Sequence, residues 1–365
     1  MVASPLAVLS VGLVSGVGLT AAESCAAIRC GINNFRETRF TGSSGEWLIG
    51  SAVELEESWR GSTKLVKMAA RAVHDCLDDA PGCDLAGQIP LVLCTAEEDR
   101  SGRFQNLDRA LLDGIERELG TALHPNSRVI AEGRVGGAIA LLQARRIMQE
   151  GRCTRVIVAG VDSFLVGATL AAYDAASRLL TADNSNGFIP GEAAGAVLLA
   201  SYEESSPAPL LCRGLGFARE PAPFGSGKPL RADGLVQAIR AALNEAGLSL
   251  KDCDHRIADV NGEQYRFKEA ALAITRLLRD RKERFSLWHP VDCVGEVGAA
   301  TLPAMLAMLA MGARHDYLPG PVFLGHLGND DDKRAAFIVR ATTSQTLALE
   351  TAAEAAFSVK RRTDA

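Results

Sequence analysis

Arg134 and Glu296 occupy matching places in two similar segments of the chain. Gly133-Arg134-Val135-Gly136-Gly137-Ala138 and Gly295-Glu296-Val297-Gly298-Ala299-Ala300 share the pattern Gly-charge-Val-Gly-small-Ala, and each leads into an apolar, helix-compatible run. If a duplication brings two helix N-termini together, they form one shared site, and here that site holds a guanidinium and a carboxylate. Arginine stays protonated and has no nucleophilic lone pair, so it cannot form a covalent acyl intermediate. A cation at a helix N-terminus is also unfavourable against the helix dipole. Arg134 is therefore expected to be paired, with Glu296 as first partner and Glu132 as second, through a bidentate bond that satisfies both desolvated charges. Two other chemistries stay open. Arg134 could bind an external carboxylate or phosphate. Alternatively, Glu132 or Glu296, with a pKa raised by burial, could act as a general base while Asn261 polarises a carbonyl.

The elements that would position these residues follow from periodicity. In the first half, strands are expected at 6–13, 89–94, 128–131 and 155–159. They alternate with helices at 20–30, with Thr20 as N-cap, and at 60–76, 105–119 and 137–149. Ser205, Ser206, Pro207 and Pro209 mark a joint, after which the pattern restarts. The second half has strands at 210–217, 256–260, 322–324 and 336–340, and helices at 234–246, 266–279 and 301–311. The expected division is 1–203, 204–341, and a C-terminal helix and tail at 342–365, the helix at 345–357. Such alternation implies parallel strands with right-handed crossovers and helices on both faces.

Composition narrows the function class. A chain of 365 residues can bury a large core, and a net charge of −5 offers no basic field for nucleic acid or an anionic membrane. The nine cysteines form no CxxC pair and no zinc-type spacing, so no metal or cofactor is expected, and reduced thiols imply a cytoplasmic protein. Cys293 stands close to Glu296 but reads as packing. The apolar start at 6–18 imitates a signal peptide yet lacks a basic flank and is broken by glycines and serines, so a buried strand is expected instead. His289, His315 and His326 are isolated and read as surface or loop-packing residues. The loop 329–332 and the helix near Leu349 are candidate contact regions that otherwise read as solvated or self-packed.

Three further stretches carry a family resemblance. The segment 8–20, Val-Leu-Ser-Val-Gly-Leu-Val-Ser-Gly-Val-Gly-Leu-Thr, resembles the opening strand and loop of β-ketoacyl synthases, members of the thiolase superfamily. Gly187-Phe188-Ile189-Pro190-Gly191-Glu192-Ala193-Ala194-Gly195 is similar to their Gly-Phe-x-x-Gly-Glu-x-Ala-Gly motif, and Val156-Ile157-Val158-Ala159-Gly160 to the strand after their nucleophile helix. The resemblance covers roughly residues 5–340. It implies an α/β fold of the thiolase-like five-layer αβαβα type with two pseudo-repeated halves. It also implies a homodimer built partly on the strand before the nucleophile, here 127–131.

The same resemblance marks the chemistry as altered. Arg134 aligns with the family's acyl-accepting cysteine, Asn261 with its first histidine, and Glu296 with its second catalytic His or Asn. The lysine upstream of the latter has no counterpart, and the late Gly-Phe-Gly-Gly-Thr-Asn loop is replaced by Gly325-His326-Leu327-Gly328-Asn329-Asp330-Asp331-Asp332. An anionic Glu296 would repel a developing enolate. The expectation is a catalytically inactive protein that binds other proteins. It would serve as an adaptor or co-chaperone, as thiolase-like proteins do in type VI secretion effector loading, or as the partner subunit of an active synthase. An acyl-transfer or hydrolase enzyme using non-standard residues is the remaining alternative.

Overall fold

The computed structural model describes residues 4–80, 87–202 and 208–342; the expected C-terminal helix and most of the expected joint lie outside them. The first half runs β1 (Leu6–Val14), α1 (Ala21–Arg29), β2 (Phe35–Thr41), β3 (Trp47–Ser51), α2 (Gly61–Asp78), β4 (Leu91–Cys94), α3 (Leu107–Leu119), β5 (Arg128–Ile130), α4 (Gly133–Gln149), β6 (Arg155–Ser163), α5 (Gly167–Ala175) and β7 (Glu192–Ser201). The second half runs β8 (Leu210–Arg219), α6 (Asp233–Ala246), β9 (His255–Ala258), α7 (Gln264–Leu277), β10 (Leu287–Trp288), α8 (Val291–Val294), α9 (Thr301–Arg314), β11 (Val322–Gly328) and β12 (Lys333–Ala341). Thr20 caps α1 as expected, its hydroxyl accepting from the Glu23 amide.

Strand order shows the repeat directly. The first half lies in the order β1-β7-β6-β4-β5 and the second in the order β8-β12-β11-β9-β10. Each begins with two antiparallel pairings and ends with two parallel ones. The halves join where β1 meets β8, from Leu6 opposite Cys212 to Val8 opposite Leu210, so ten strands form one hydrogen-bonded sheet, with the β2-β3 hairpin apart from it.

The helices supply the layers. α2 and α3 cover one outer face, with a core of Leu65, Met68, Val73, Leu111 and Ile115. α6 and α7 cover the other, around Leu235, Ile239, Ala273 and Ile338. Between the halves α4 and α9 pack on each other in the central core with Leu141, Leu302, Met305 and Leu306. Gly137 permits this approach, because a Cβ there would stand 2.6 Å from that of Leu302.

Several elements depart from the sequence expectation. α4 starts at Gly133, a full turn before the expected residue 137, so Arg134 lies inside the helix. The strand β7, the hairpin β2-β3 and the helix α5 have no expected counterpart. His326, expected in a loop or at the surface, lies in the buried strand β11, and desolvation pushes its imidazole down to about 3. Among the described residues no helix is long and apolar enough to cross a membrane.

Candidate functional site

The two look-alike turns meet between the sheet halves. Gly133 and Gly295 both take positive φ, 52° and 72°, a conformation that favours glycine, and each presents the charged residue that follows it. Arg134 and Glu296, 162 residues apart in sequence, lie side by side, with Nη1 donating to Oε2 at 2.9 Å. They are 3% and 1% exposed. Asn261, in the turn after the β9 strand, donates through Nδ2 to the same carboxylate oxygen at 2.7 Å. The other oxygen, Oε1, accepts from the Gly298 amide at 3.0 Å.

The Arg134 fork is split, not bidentate. Its Nη2 donates to Asp330 Oδ1 at 2.7 Å, while its Nε has no hydrogen-bond partner. Asp330 also accepts from Arg178, 2.6 Å to Oδ2 and 3.1 Å to Oδ1, and from Arg266 Nη2 at 2.5 Å. Arg178 in turn grips Glu263 with two bonds, 2.7 and 2.8 Å. Burial would push the Asp330 carboxyl up, but the guanidiniums of Arg134, Arg266 and Arg178 outweigh it and hold the group well below the usual carboxylate range. Burial likewise opposes the charge on Arg134, and Glu296 and Asp330 reverse that effect and raise its pKa well above the ordinary arginine value.

The helix ends are satisfied from far away in sequence. Glu132, the N-cap position of α4, makes no side-chain cap. Instead Asn329 accepts from the Val135 amide at 3.1 Å and donates to the Glu132 carbonyl at 2.9 Å. At the matching end, Asp162 Oδ2 accepts from the Ala299 amide at 3.0 Å, beside the Glu296 contact to Gly298. Two carboxylates at that end suit the helix dipole, whereas Arg134 is tolerated only because acids surround it.

A cavity of about 270 Å³ opens outside this cluster, lined by Arg100, Tyr173, Arg178 and Asp330, but not by Arg134, Asn261 or Glu296. A larger cavity, about 540 Å³, lies elsewhere, between the β2-β3 hairpin and the start of α2.

Known proteins share this architecture. Residues 136–205, beginning two residues after Arg134, match the family described as Beta-ketoacyl synthase, N-terminal domain. The actinorhodin polyketide putative beta-ketoacyl synthase 2 of Streptomyces coelicolor is 35% identical over 208 residues, which is 51% of this chain and 48% of that protein. The chain thus aligns with about half the length of this curated relative. Among solved structures, a chain from the ketosynthase (ApeO) in complex with its chain length factor (ApeC) from Xenorhabdus doucetiae superposes with a TM-score of 0.74 at 13% identity, covering 93% of this chain and 98% of that one. A chain from the AntDE:AntF complex, a type II polyketide acyl-carrier protein with its ketosynthase, gives 0.77 at 15% identity, covering 93% and 100%. Identities this low speak for the fold alone. The chain has the fold of these ketosynthase structures, and its residues 136–205 resemble the β-ketoacyl synthase N-terminal domain.

The structure brings Arg134, Asn261 and Glu296 together. Glu132 does not join them. Its carboxylate pairs with Lys333 on the half-exposed side of the loop, although its backbone carbonyl helps hold Asn329. Cys293 packs in the central core, its thiol 3.9 Å from the Ile28 carbonyl, and burial pushes its pKa up.

The sequence reading missed Asp330, Arg178, Arg266, Glu263 and Asn329. The loop 329–332, expected to be solvated or self-packed, is packed on its own chain: Asn329 is 1% exposed and Asp330 points into the cluster. The available hint was that residues 325–332 stand where the resemblance places the family's late site loop.

Proposed function

We propose that this chain is a catalytically silent β-ketoacyl synthase-like subunit that acts through protein contacts. The observation that carries the reading is the pairing of Arg134 with Glu296 and Asp330, which fills the first turn of α4 where the resemblance expects an acyl-accepting thiol. Residues Gly133 to Gly137 offer no thiol or hydroxyl. Cys94, on the β4 strand, is fully buried, and desolvation pushes its pKa up to about 12, far from the thiolate that acylation requires.

The names of the similar proteins favour a synthase subunit as the partner: one is a second synthase of a polyketide system, and another was solved with its chain length factor. A co-chaperone role in effector loading would rest on the same closed site. β5 is the edge of the sheet and pairs among the described residues with β4 alone, which leaves it free to continue the sheet into a homologous chain, either a second copy or a synthase.

Incubating the full chain with acetyl and malonyl thioesters and reading its intact mass tests the silence; no acyl adduct is expected, and a stable adduct overturns the proposal. Affinity capture from the native host tests the partner. Recovery of a thiolase-fold synthase supports the subunit reading, and recovery of a secretion chaperone in its place rejects it.

A further inference from the structure

We infer that Arg134, Arg178 and Arg266 form a carboxylate-binding cradle whose resident ligand is the protein's own Asp330, tethered by the β11-β12 loop and exchangeable for a small external carboxylate. One carboxylate accepts from three guanidiniums, and the Tyr173 hydroxyl stands 3.4 Å from its Oδ2. Such convergence of guanidinium forks on one carboxylate matches the way arginines bind carboxylate ligands.

The cradle is held in place without Asp330. Glu296 holds Arg134, the twin bonds to Glu263 hold Arg178, and the Asn329 carbonyl accepts from Arg266 Nη1 at 3.1 Å. The loop is anchored by the adjacent residue: the Asn329 amide donates to the Lys333 carbonyl, and its side chain binds α4. Asp330 itself is tied through its side chain to the cradle. The guanidiniums are 3%, 9% and 2% exposed, whereas 31% of the Asp330 side chain faces solvent. It borders the cavity of about 270 Å³, so rotation of this one side chain would open the cradle from outside. Glu97, Asp99 and Asp331 share that cavity and disfavour a bulky polyanion, which restricts the ligand to a small carboxylate.

A tethered carboxylate has a high effective concentration, so it competes with free acetate and weakens its apparent binding to wild type. Removing the tether should reveal the site. In calorimetric titrations of the full chain, Asp330→Gly is expected to bind acetate or malonate roughly tenfold or more tighter than wild type. Phosphate binding more tightly than malonate would reject the carboxylate assignment. Equal affinity in wild type and D330G, or undiminished binding in D330G/R178A, would overturn the cradle. If D330G does not fold, Asp330→Asn keeps the shape and removes the charge. Its thermal midpoint should rise in acetate relative to chloride at equal ionic strength, and no rise counts against the inference. These readings involve no acyl transfer, so they stand or fall apart from the proposed silence.

Discussion

The turn at Gly133 and the turn at Gly295 occupy matching places in the two halves and do opposite electrostatic work. Both use a positive-φ glycine, and both lead toward a central helix. The first enters α4 directly and carries a cation into a helix N-terminus. The second runs as a strand-like bridge, Glu296 exchanging backbone hydrogen bonds with Ile189 and Gly191, before a short 3-10 turn and α9. Its carboxylate caps a helix end; the guanidinium at the other turn needs rescue from distant acids. Both turns keep a positive-φ glycine but diverge after it, and their complementary charges fill the shared space.

Breaking the pair from the cationic side should have the largest effect. Arg134→Ala leaves Glu296 buried with only Asn261 and the Gly298 amide, and is expected to cost about 3 kcal/mol in chemical denaturation, as for other broken buried pairs. A loss near zero would mean that the two turns do not depend on each other.

The comparison sharpens with Arg134→Met, Glu296→Leu and their combination. The double variant should recover much of the single losses, with a coupling energy of about 1–3 kcal/mol, because no lone buried charge is left behind. Additive losses would show that each turn is stabilised separately.

A smaller effect should appear in acid. The folded pKa of Asp330 lies below its unfolded value of about 3.9, so its contribution is complete above that value and drains away as pH falls through the folded pKa. The stability advantage of wild type over Asp330→Asn should therefore shrink between about pH 5 and about pH 3. A constant gap across that range contradicts the guanidinium cradle. Smallest of all, Glu132→Gln should change stability by no more than about 0.5 kcal/mol, since the pair with Lys333 is about one-third exposed on each side. A loss comparable to that of Arg134→Ala would restore Glu132 to the site.

Legibility in the sequence followed the range of the interactions. β1 and the Thr20 cap were readable because apolar runs and capping hydroxyls act within a few residues. β7 was not: Glu192-Ala193-Ala194-Gly195-Ala196 is rich in residues depleted from strands, and it forms one because neighbours on both sides and both faces bury it. The hairpin β2-β3 was missed for the opposite reason: β2 is polar and largely exposed, and the short apolar run Trp47-Leu48-Ile49 of β3 shows no alternation to read.

The sequence by itself placed an arginine and a glutamate at matching positions of two similar turns, because a repeat is written in residue order, and the family resemblance aligned Asn261 with them. Only the tertiary structure decided which acids meet Arg134. Asp330 replaces Glu132 because the β11-β12 loop folds across the N-terminus of α4, with Asn329 as its anchor. Charge pairing in a buried site is settled by distances of a few ångströms in space, and residues 196 positions apart along the chain have no local pattern through which to announce it.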